Sequence, residues 1–555
     1  MRFSTTVAAL LYSPVAALAA TPVKQSLSAH DFLTRVTPKL LSYVEGQDDV
    51  SKKTMTLKSP AELTQIFDDL GVPLEMGSDP VDSMLLLDAC DAVMEYGLRT
   101  GSPLFNNQLF GTADPVAIAG DWLTTVSQTS SYTYEVAPVF SMMETELIAK
   151  LGSVVGGDFA KREKVDGLFV PGGSLSNLYA LQVARFRACP AIKKKGNAAA
   201  PGLCAFVSDE AHYSYKKSCS LLGLGTDSLY RVPSDPGTGA MDPQALKGLL
   251  QEAKAKGEKP FFVGCTAGTT VLGAFDPFGE VRKVVDEFNA EAEAEQAAGG
   301  FTPGVDDDGR VWMHVDGAWG GGAIFSERER SKCMKGLEGT DSFCTNPHKM
   351  MGSTLQCCCF MTRHPDLLMA ANSANAAYLF QPDKENTELD YGDKTIQCGR
   401  KVDTFKLWLM WKYLGDAGME RRVDHLVDLA NYMSDRIKDT LDDQGRRVFV
   451  QVAPTSFTNV VFYAIPPSLR VAADVGTSNE AVLANLDMEA LSKVAPAVKS
   501  QMQRRGLALI GFQPVKTFPN CWRMVFAGAK ESSMTTETVD TILDSMRDIS
   551  EELFG

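Results

Sequence analysis

The sequence predicts an α/β protein built on a mostly parallel sheet, with a helical segment before the sheet and a smaller α+β domain after it. Three observations support this prediction: a helical period in the first part, seven short apolar runs that alternate with helical stretches between residues 167 and 363, and a change of pattern near residue 421. The chain has 555 residues, of which 45% are hydrophobic and 22% charged, as is typical of a globular protein.

The first residues differ in kind from the rest of the chain. Arg2 precedes an apolar run over residues 7–20, and residues 17–19 resemble the small-residue cleavage site of a signal peptide. We therefore expect residues 1–24 to be a signal or transit leader. The alternative is a disordered leader, because Pro14 interrupts the run. The run is too short to cross a bilayer.

A helical period precedes the predicted sheet. Over residues 25–116 apolar side chains recur at helix spacing, and Ser59 followed by Pro60 is typical of a helix start. We expect these residues to form an N-terminal helical segment. Between residues 117 and 152 the pattern predicts two more helices, interrupted near Pro138, at the start of the large domain.

Seven apolar runs predict the strands of the sheet. They are apolar on both faces, which is typical of a parallel sheet that is covered on both sides. The runs cover residues 167–170, 203–209, 228–233, 260–267, 311–317, 342–347 and 357–363. We expect a large domain over residues 117–420, with its chemistry beyond the carboxyl ends of the strands.

Two later segments complete the predicted organisation. Residues 289–309 are acidic, small and rich in Gly and Pro, which predicts a surface loop without a catalytic part. Residues 421–555 predict a small α+β domain. Its predicted elements are a helix over 423–437, strands near 447–453, 458–466 and 507–514, and a last helix after Met534.

The charge of the chain limits its partners. Its 54 basic and 69 acidic residues give a net charge of −15 without a local basic patch, which argues against nucleic acid and anionic membranes as partners. Twelve cysteines are too few for a disulfide scaffold, and no Cys or His spacing is typical of a zinc site. The consecutive residues 357–359 are cysteines that alternate faces along a strand, so they cannot all ligate one metal ion. We expect buried, reduced thiols and no metal.

Lys349 and Asp316 follow neighbouring predicted strands and carry the chemistry. A lysine at a strand end is either a solvated surface residue or an amine that can condense with an aldehyde. Asp316 ends a strand that is apolar on both faces, where a carboxylate needs a cationic partner. The protonated nitrogen of a pyridine ring is such a partner, so the lysine and the aspartate together match pyridoxal phosphate.

A predicted phosphate site completes the match. Residues 171–177 read Pro-Gly-Gly-Ser-Leu-Ser-Asn, and they open a helix whose free N–H groups favour an anion. The glycines allow close approach and the hydroxyls are further donors. These three elements in one α/β unit predict pyridoxal 5'-phosphate as the cofactor.

These motifs resemble those of a known family, the group II pyridoxal-phosphate decarboxylases, in the branch of glutamate decarboxylase and cysteine sulfinate decarboxylase. The strings that carry the resemblance include PGGSLSNLYA, CTAGTTVLGAFDP, HVDGAWGGG, NPHKMMG and QCGRKVDTFKLWLMWK. The resemblance extends from about residue 28 to the C-terminus. It implies the type I aminotransferase-like fold, a homodimer with the active site at the interface, and a cytoplasmic location, although the leader leaves secretory or organellar targeting open.

The resemblance also implies the roles of particular residues. Lys349 matches the lysine that binds the cofactor covalently, Asp316 the partner of the pyridine nitrogen, and His212 the imidazole stacked on the ring. The other implied cofactor contacts are Gly173, Ser174, Thr269, Ala318, Asn346 and His348. The implied substrate contacts are Gln108, Leu109, Phe110 and Arg523, and the guanidinium of Arg523 is expected to bind the substrate carboxylate.

Three arginine and histidine positions have structural alternatives. Arg523 shares one strand face with Cys521 and Val525, so its guanidinium needs an anionic partner, which is either the substrate or a carboxylate of the protein. His212 is either the stacking imidazole or a satisfied core histidine. For Arg400 we favour a role as an anchor of the following helix.

The predicted reaction is α-decarboxylation of a small acidic L-amino acid to the corresponding amine and CO2. Arg523 and Gln108 would hold the substrate so that the bond to the α-carboxylate stands perpendicular to the ring. Phe110 and Tyr132 resemble the cysteine sulfinate and aspartate branch of the family more than the glutamate branch, which implies these shorter substrates over glutamate, whose product would be 4-aminobutanoate. Two alternatives stay open: another pyridoxal-phosphate reaction, such as transamination, and a catalytically inactive binding paralogue.

Residues 381–394 are polar and lack a helix or strand period, which predicts a mobile lid. In the family this lid carries a tyrosine that helps to protonate the substrate carbon, and the matching position here is Asn386. Tyr391 is the only phenol nearby, and we expect it to act as the general acid. The alternative is that Tyr391 packs at the base of the loop, while water or His212 donates the proton.

Overall fold

The computed structural model describes residues 27–297, 310–472, 477–529 and 531–555, and the chain forms two compact units. The first unit contains residues 27–45 and 56–97. The second contains residues 46–55 and the described residues from 98 onward. The predicted leader lies outside the described residues. Among the described residues, no helix is both long and apolar enough to cross a membrane.

The first unit is helical, as the sequence predicts. Its helices are α1 Ala29–Glu45, α2 Pro60–Asp69 and α3 Ser83–Tyr96. Ser59 caps α2 as expected: its hydroxyl accepts a hydrogen bond from the N–H of Glu62, and the Glu62 carboxylate accepts one from the N–H of Ser59. This reciprocal cap fixes the start of α2.

The second unit contains all the strands that the structure describes and the remaining helices. The strands are β1 Phe105–Asn106, β2 Asp166–Val170, β3 Leu203–Ser208, β4 Leu229–Val232, β5 Lys259–Thr266, β6 Trp312–Gly317, β7 Ser342–Thr345, β8 Cys358–Thr362, β9 Phe449–Gln451, β10 Asn459–Ala464, β11 Leu509–Val515 and β12 Phe518–Val525. The helices are α4 Pro115–Ser127, α5 Pro138–Val155, α6 Gly173–Ala188, α7 Ile192–Lys195, α8 Ser214–Leu221, α9 Pro243–Ala255, α10 Phe278–Ala297, α11 Glu327–Cys333, α12 Leu367–Asn372, α13 Thr404–Asp439, α14 Asn479–Leu483, α15 Met488–Arg505 and α16 Thr536–Phe554.

The seven predicted runs form one seven-stranded sheet in the order β2-β8-β7-β6-β5-β3-β4. Strand β8 is antiparallel to both of its neighbours, and the other pairs are parallel. The register places Thr266 of β5 beside Asp316 of β6, and Gly317 of β6 beside Thr345 of β7. The carboxyl ends of three parallel strands therefore meet at one edge of the sheet, where the sequence predicts the chemistry.

Both faces of this sheet are covered, which confirms the two-sided burial that the sequence predicts. One apolar cluster contains Val263 and Val315 together with side chains of α5, α9 and α10. The other contains Phe262 and Phe360 together with side chains of α6, α8 and α12. Cys357 and Cys359 belong to the first cluster and Cys358 to the second, so the three cysteines do alternate faces. All twelve thiols of the chain are free.

The second sheet has five strands in the order β1-β11-β12-β10-β9. Four of them come from the predicted small α+β domain. The fifth, β1, comes from the predicted N-terminal segment and pairs in parallel with β11 through Phe105 and Asn106. This pairing carries the segment after β1 to the side of Arg523 on β12.

Several predicted boundaries fall inside helices. Helix α4 begins at Pro115, ahead of the predicted domain start at residue 117, and α13 runs through the predicted boundary between residues 420 and 421. Helix α13 bends at Gly415, whose backbone is left-handed (φ 65°). Helix α10 continues to Ala297, so the first part of the predicted loop 289–309 is helical; residues 298–309 lie outside the described residues.

Candidate active site

A cavity of about 260 Å³ lies at the carboxyl ends of β5, β6 and β7. Eight of the residues that the sequence predicts for the site line it: Gly173, Ser174, His212, Asp316, Ala318, Asn346, His348 and Lys349. The fold thus brings together residues from four separate motifs. Eight further lining residues are not among the predicted site residues: Pro171, Gly172, Tyr213, Thr266, Gly268, Thr270, Trp319 and Gln356.

Asp316 is buried at the end of β6, with 4% of its surface exposed. Its Oδ2 accepts a hydrogen bond from Nδ2 of Asn177 (2.7 Å), and its Oδ1 accepts one from the N–H of Ala318 (2.9 Å). The thiol of Cys344 lies 3.7 Å from Oδ1. These donors are neutral, and among the described residues none forms an ion pair with Asp316. A cation that enters the cavity can therefore pair with this carboxylate.

Lys349 follows β7 in a tight turn, in which its N–H donates to the carbonyl of Asn346 (2.9 Å). Burial lowers the pKa of the Lys349 ammonium below its usual value, although the charge of Asp316 acts in the opposite direction. A lowered pKa increases the fraction of neutral amine, which is the nucleophilic form of lysine. The position thus suits a covalent bond to an aldehyde.

The start of α6 forms one wall of the cavity. Gly172, at the cap position, has a left-handed φ of 92°, and no side chain caps the helix. Gly173 packs closely against its neighbour, because a Cβ atom there would lie 2.7 Å from Cβ of Ala318. The first N–H groups of a helix have no acceptor within the helix. They point to an anion, such as a phosphate, at Gly173 and Ser174.

Two histidines line the cavity as neutral rings. Nδ1 of His212 lies 2.8 Å from the hydroxyl of Ser214, and burial lowers the pKa of His212. Nδ1 of His348 lies 2.7 Å from the carbonyl oxygen of Cys357, and burial lowers the pKa of His348 to about 4. Neither ring therefore neutralises Asp316 near pH 7.

Two buried polar atoms on the cavity wall have no hydrogen-bond partner among the described residues: Oδ1 of Asn346 and Oγ1 of Thr266. Such orphaned groups are costly unless a ligand satisfies them. These two atoms, the Asp316 carboxylate, the lowered pKa of Lys349 and the uncapped start of α6 together fit pyridoxal phosphate. Its phosphate suits the start of α6, its ring nitrogen suits Asp316, and its aldehyde suits Lys349.

The other predicted contacts do not line this cavity. The hydroxyl of Thr269 accepts a hydrogen bond from the N–H of Ala274 (3.1 Å) and so stabilises a turn. Gln108, Leu109 and Phe110 follow β1; Leu109 packs against the core, and the ring of Phe110 lies 6.1 Å from that of Phe105. For Thr269 the structure therefore supports a role in the turn.

Arg523 lies beside the cavity on β12, with 9% of its surface exposed. Its guanidinium donates to the carbonyl of Thr270, a lining residue (3.2 Å), and to the carbonyl of Asn107. Lys499, from α15, donates to Oδ1 of the same Asn107 (2.6 Å). Neither cation pairs with a carboxylate among the described residues, so the intraprotein salt bridge considered for Arg523 is not formed there. Burial lowers the pKa of both groups.

Tyr391 lies away from the cavity in the apolar cluster that contains α6, and its hydroxyl hydrogen-bonds to the hydroxyl of Thr145. Burial raises the pKa of Tyr391 to about 12. The second half of the predicted lid is also anchored: the N–H of Gly392 donates to the carbonyl of Tyr132 (2.7 Å), and Lys394 pairs with Asp166 (2.9 Å). This geometry favours the packing alternative for Tyr391 over the role of proton donor.

Arg400 forms structural contacts among the described residues, but with α5, β2 and Ser131 and not with the helix that follows it. Its guanidinium donates to both carboxylate oxygens of Glu144 and to the carbonyls of Ser131 and Phe169. Asn177, in contrast, was not expected at the site, although it lies in the predicted phosphate motif. It follows Gly173 by four residues, one helical turn, and that spacing is the signal that could have placed it beside the site.

Comparison with known proteins gives one family and several related structures. Residues 68–465 match the model of the pyridoxal-dependent decarboxylase conserved domain. The crystal structure of mouse CSAD (cysteine sulfinic acid decarboxylase) is 37% identical, with a TM-score of 0.81, over 94% of this chain and 98% of that chain. Oryza sativa TDC with PLP and tryptamine is 21% identical, with a TM-score of 0.77, over 96% and 100% of the two chains. The glutamate decarboxylase domain of a Vibrio parahaemolyticus protein is 21% identical, with a TM-score of 0.71, over 93% and 95%.

Proposed function

The chain belongs to the family of pyridoxal-dependent decarboxylases, and from this premise we propose that it decarboxylates a small acidic amino acid, with cysteine sulfinate or aspartate preferred to glutamate. It is an amino-acid decarboxylase that uses pyridoxal 5'-phosphate. The proposed substrate rests mainly on one observation. Arg523 is a buried cation without a carboxylate partner among the described residues, one hydrogen bond away from the cavity wall.

The residues of the cavity divide the work of the reaction. When bound, pyridoxal 5'-phosphate delocalises the electron pair that remains on the substrate carbon after CO2 leaves. Asp316 would hold a proton at the pyridine nitrogen, because its carboxylate forms no ion pair among the described residues. Lys349 provides the neutral amine that binds the aldehyde covalently. The start of α6, at Gly173 and Ser174, binds the phosphate.

The acidic groups of the substrate bind outside this cavity, at Arg523 and Lys499. Both cations contact Asn107, in the segment after β1: Arg523 its backbone carbonyl and Lys499 its side-chain oxygen. A guanidinium can hold a carboxylate with two parallel hydrogen bonds, and its unsatisfied Nε is one donor for such a contact. In a chain with a net charge of −15, local cations of this kind are needed to attract an anionic substrate.

Release of labelled CO2 tests the proposed substrates. Cysteine sulfinate, aspartate and glutamate, each labelled at the α-carboxyl, are compared with the holoenzyme at equal concentrations. We expect kcat/KM for a short acidic substrate to exceed that for glutamate by about tenfold, a difference of the size that one methylene produces. A preference for glutamate would overturn the chain-length proposal. Turnover of a neutral aromatic amino acid instead would overturn the acidic class as a whole.

Two arginine variants test the part played by Arg523. Arg523→Ala should lower kcat/KM by about a hundredfold, because it removes a charge-assisted contact of about 3 kcal/mol. Arg505→Ala is the matched control, since Arg505 forms an exposed ion pair with Glu552. If kcat/KM of Arg523→Ala stays within about threefold of the control, another residue binds the substrate carboxylate.

The similarity to mouse CSAD supports the shorter substrates. That protein is named for cysteine sulfinic acid, and it is 37% identical to this chain over 94% of the residues.

An absorption spectrum together with the assay for CO2 distinguishes an enzyme from an inactive binding paralogue. The holoenzyme should have a visible absorption band that disappears on reduction with borohydride, because the reduction fixes the bond between cofactor and Lys349. Lys349→Ala should lack this reducible band. A wild-type protein that has the reducible band but releases no CO2 from any of the acidic substrates would be the binding paralogue.

We also propose that the protein forms a homodimer. Helices α4 and α5 expose large apolar side chains that a second copy can cover: Trp122, Leu123, Val126, Val139 and Met142. Val126, the most open of these, has 80% of its surface exposed. Such apolar surface is typical of an interface between subunits.

Light scattering after size exclusion tests the dimer. Val126→Glu combined with Val139→Glu should shift the protein toward the monomer mass, because two charges are then buried at the interface. Val50→Glu, at another exposed valine, is the control and should stay dimeric. A wild-type protein that elutes as a monomer would contradict the proposal.

A further inference from the structure

A continuous line of hydrogen bonds passes behind Asp316 and ends at His212. Nε1 of Trp312 donates to the hydroxyl of Ser342 (2.8 Å), which contacts Nδ1 of His314 (2.8 Å). Nε2 of His314 lies 3.1 Å from Oδ1 of Asn177. The amide nitrogen of Asn177 donates to Asp316 and also to the hydroxyl of Ser214 (2.9 Å), which contacts Nδ1 of His212. His314 and Asn177 are fully buried.

The direction of each bond follows from the Asp316 carboxylate. A carboxylate can only accept, so the Asn177 amide turns its nitrogen to Asp316 and its oxygen to Nε2 of His314. That oxygen accepts, so Nε2 of His314 donates. A neutral imidazole carries one hydrogen, and burial, which lowers the pKa of His314 to about 4, keeps the ring neutral, so Nδ1 accepts from the Ser342 hydroxyl. The indole nitrogen of Trp312 in turn donates to that hydroxyl.

The charge of Asp316 fixes the orientation of the Asn177 amide. If the amide were flipped, its oxygen would lie 2.7 Å from the Asp316 carboxylate, and two acceptors would face each other. The donor at Nε2 of His314 opposes the same flip from the other side. Both contacts keep the amide nitrogen toward Asp316.

The same amide determines the hydrogen position on His212. Its second N–H occupies one lone pair of the Ser214 hydroxyl, which favours donation of the hydroxyl hydrogen to Nδ1 of His212. The N–H of Ser214 also points to Nδ1 (3.2 Å). Since Nδ1 accepts, the hydrogen of the neutral His212 ring lies on Nε2. Among the described residues, Nε2 has no hydrogen-bond partner of its own.

We propose that His314 is a positioning residue: through Asn177 it orients the Asp316 carboxylate and sets His212 in the tautomer that carries its hydrogen on Nε2. His314 itself does not line the cavity. The inference rests on the proposed function in one respect, that Asp316 binds the ring nitrogen of pyridoxal phosphate. It extends that function because one buried histidine, through Asn177, positions two residues that line the cavity, Asp316 and His212.

Two variants of His314 test the proposal. His314→Leu removes the donor to Asn177, whereas His314→Gln can replace it, because the glutamine amide nitrogen can occupy the place of Nε2. His425→Leu is the control, at a half-buried histidine that contacts the carbonyl of Met534. The first measurement is the binding of 4'-deoxypyridoxine phosphate to the apoprotein by fluorescence. This probe lacks the aldehyde, so it reports the ring and phosphate contacts without the covalent bond to Lys349.

We expect His314→Leu to bind the probe at least about tenfold more weakly than wild type, and His314→Gln to bind within about threefold. Asn177→Asp should resemble His314→Leu, because it places a second carboxylate next to Asp316. Equal binding by His314→Leu and the His425→Leu control would overturn the proposal. So would equal losses in the leucine and glutamine variants, because the donor at Nε2 would then not matter.

The second measurement is the tautomer of His212 by nitrogen-15 NMR of histidine-labelled apoprotein, which has six histidines to resolve. Wild type and His314→Gln should carry the hydrogen on Nε2, and His314→Leu should give a mixture of tautomers. A role in packing alone would lower stability without moving this signal. Because the tautomer needs no cofactor, it tests the inference separately: a wild-type protein that fails to bind the probe contradicts the proposed function, whereas an unchanged tautomer in His314→Leu contradicts the inference.

Discussion

An aspartate is buried at each end of the seven-stranded sheet, and the two aspartates differ in their partners, which are basic at one end and neutral at the other. At the amino ends, Asp341 precedes β7 and lies 3.2 Å from Arg282, 3.0 Å from Arg363 and 2.9 Å from His364. At the carboxyl ends, Asp316 accepts hydrogen bonds only from neutral donors. The two carboxylates are equally buried, at 3% and 4% exposed.

The difference separates an aspartate that serves stability from one that serves function. Burial opposes the ionised form of Asp341, but the hydrogen bond from His364 and the charges of Arg363 and Arg282 outweigh it and hold the pKa of Asp341 below its usual value. The protein thus supplies the counter-charge itself. For Asp316 the counter-charge is left to the ligand, so binding and not folding satisfies the carboxylate.

Asp316→Asn should give the largest effect on activity. It keeps the shape of the side chain but removes the charge that holds a proton at the ring nitrogen, so we expect kcat to fall by at least about a thousandfold, which corresponds to about 4 kcal/mol. The stability of the apoprotein should change little, because Asp316 forms no ion pair among the described residues. Steady-state kinetics and thermal unfolding of the apoprotein measure the two effects. A kcat within about tenfold of wild type would contradict the functional role of the Asp316 charge.

Asp341→Asn should give the opposite result. Three basic side chains lose their common anion in a buried setting, so the free energy of unfolding should fall by about 3 kcal/mol, the lower end of the cost of breaking a buried pair. Turnover per folded molecule should stay within about threefold of wild type. Urea unfolding followed by tryptophan fluorescence gives the stability. Unchanged stability would mean that the counter-charges at the amino ends contribute little.

Acid should affect the carboxyl ends through His348. Burial lowers its pKa from 6.5 to about 4, so between these pH values the unfolded chain binds more protons than the folded one. The stability that this neutral ring contributes is complete above pH 6.5 and is lost as the pH falls toward 4. Between pH 7 and 5 that loss is about 2 kcal/mol, at 1.36 kcal/mol per pKa unit. His348→Gln should lack it, as unfolding of the apoprotein at the two pH values can measure, with His425→Gln as control. Equal losses in His348→Gln and wild type would contradict the prediction.

Tyr391→Phe should give the smallest effect. The phenol bonds to Thr145 and lies away from both aspartates, so its removal should cost about 1 kcal/mol of unfolding free energy and leave kcat within about twofold. Amine and aldehyde products are quantified in the same experiment. Slower amine formation with diversion to aldehyde would restore the role of general acid that the sequence suggested.

Much of the sheet and of the site could be predicted because the signals are local. Each of the seven runs is apolar on both faces, and Lys349, Asp316 and Gly173 each stand at the end or start of an element. Position within an element is enough to bring such residues together, because parallel strands end at a common edge. The depressed pKa of Lys349 and the missing counter-charge of Asp316 are consequences of burial at that edge.

Other features depend on contacts that no local pattern records. Strand β1 has two residues and is specified by its partner β11, so its sequence lacks a period. Tyr391 lies in a polar segment, yet its ring is buried in the apolar cluster that contains α6 and α12, and its hydroxyl bonds to that of Thr145. The charge and the small side chains at the end of α10 predict a loop, but this prediction is wrong as far as Ala297, because Ala and Glu are strong helix formers.

The twelve free thiols are natural probes of local unfolding in this enzyme. Eight are fully buried, and Cys398 is the one that is exposed. Because the thiolate is the reactive form, burial that raises the pKa of Cys357 to about 12 also slows its alkylation in the native state. Cys398 should therefore be alkylated first. Alkylation of a buried cysteine then requires local unfolding of the element that contains it. The thiol of Cys344 lies 3.7 Å from Asp316, so the rate at which Cys344 is labelled reports local unfolding at the carboxyl ends of the strands.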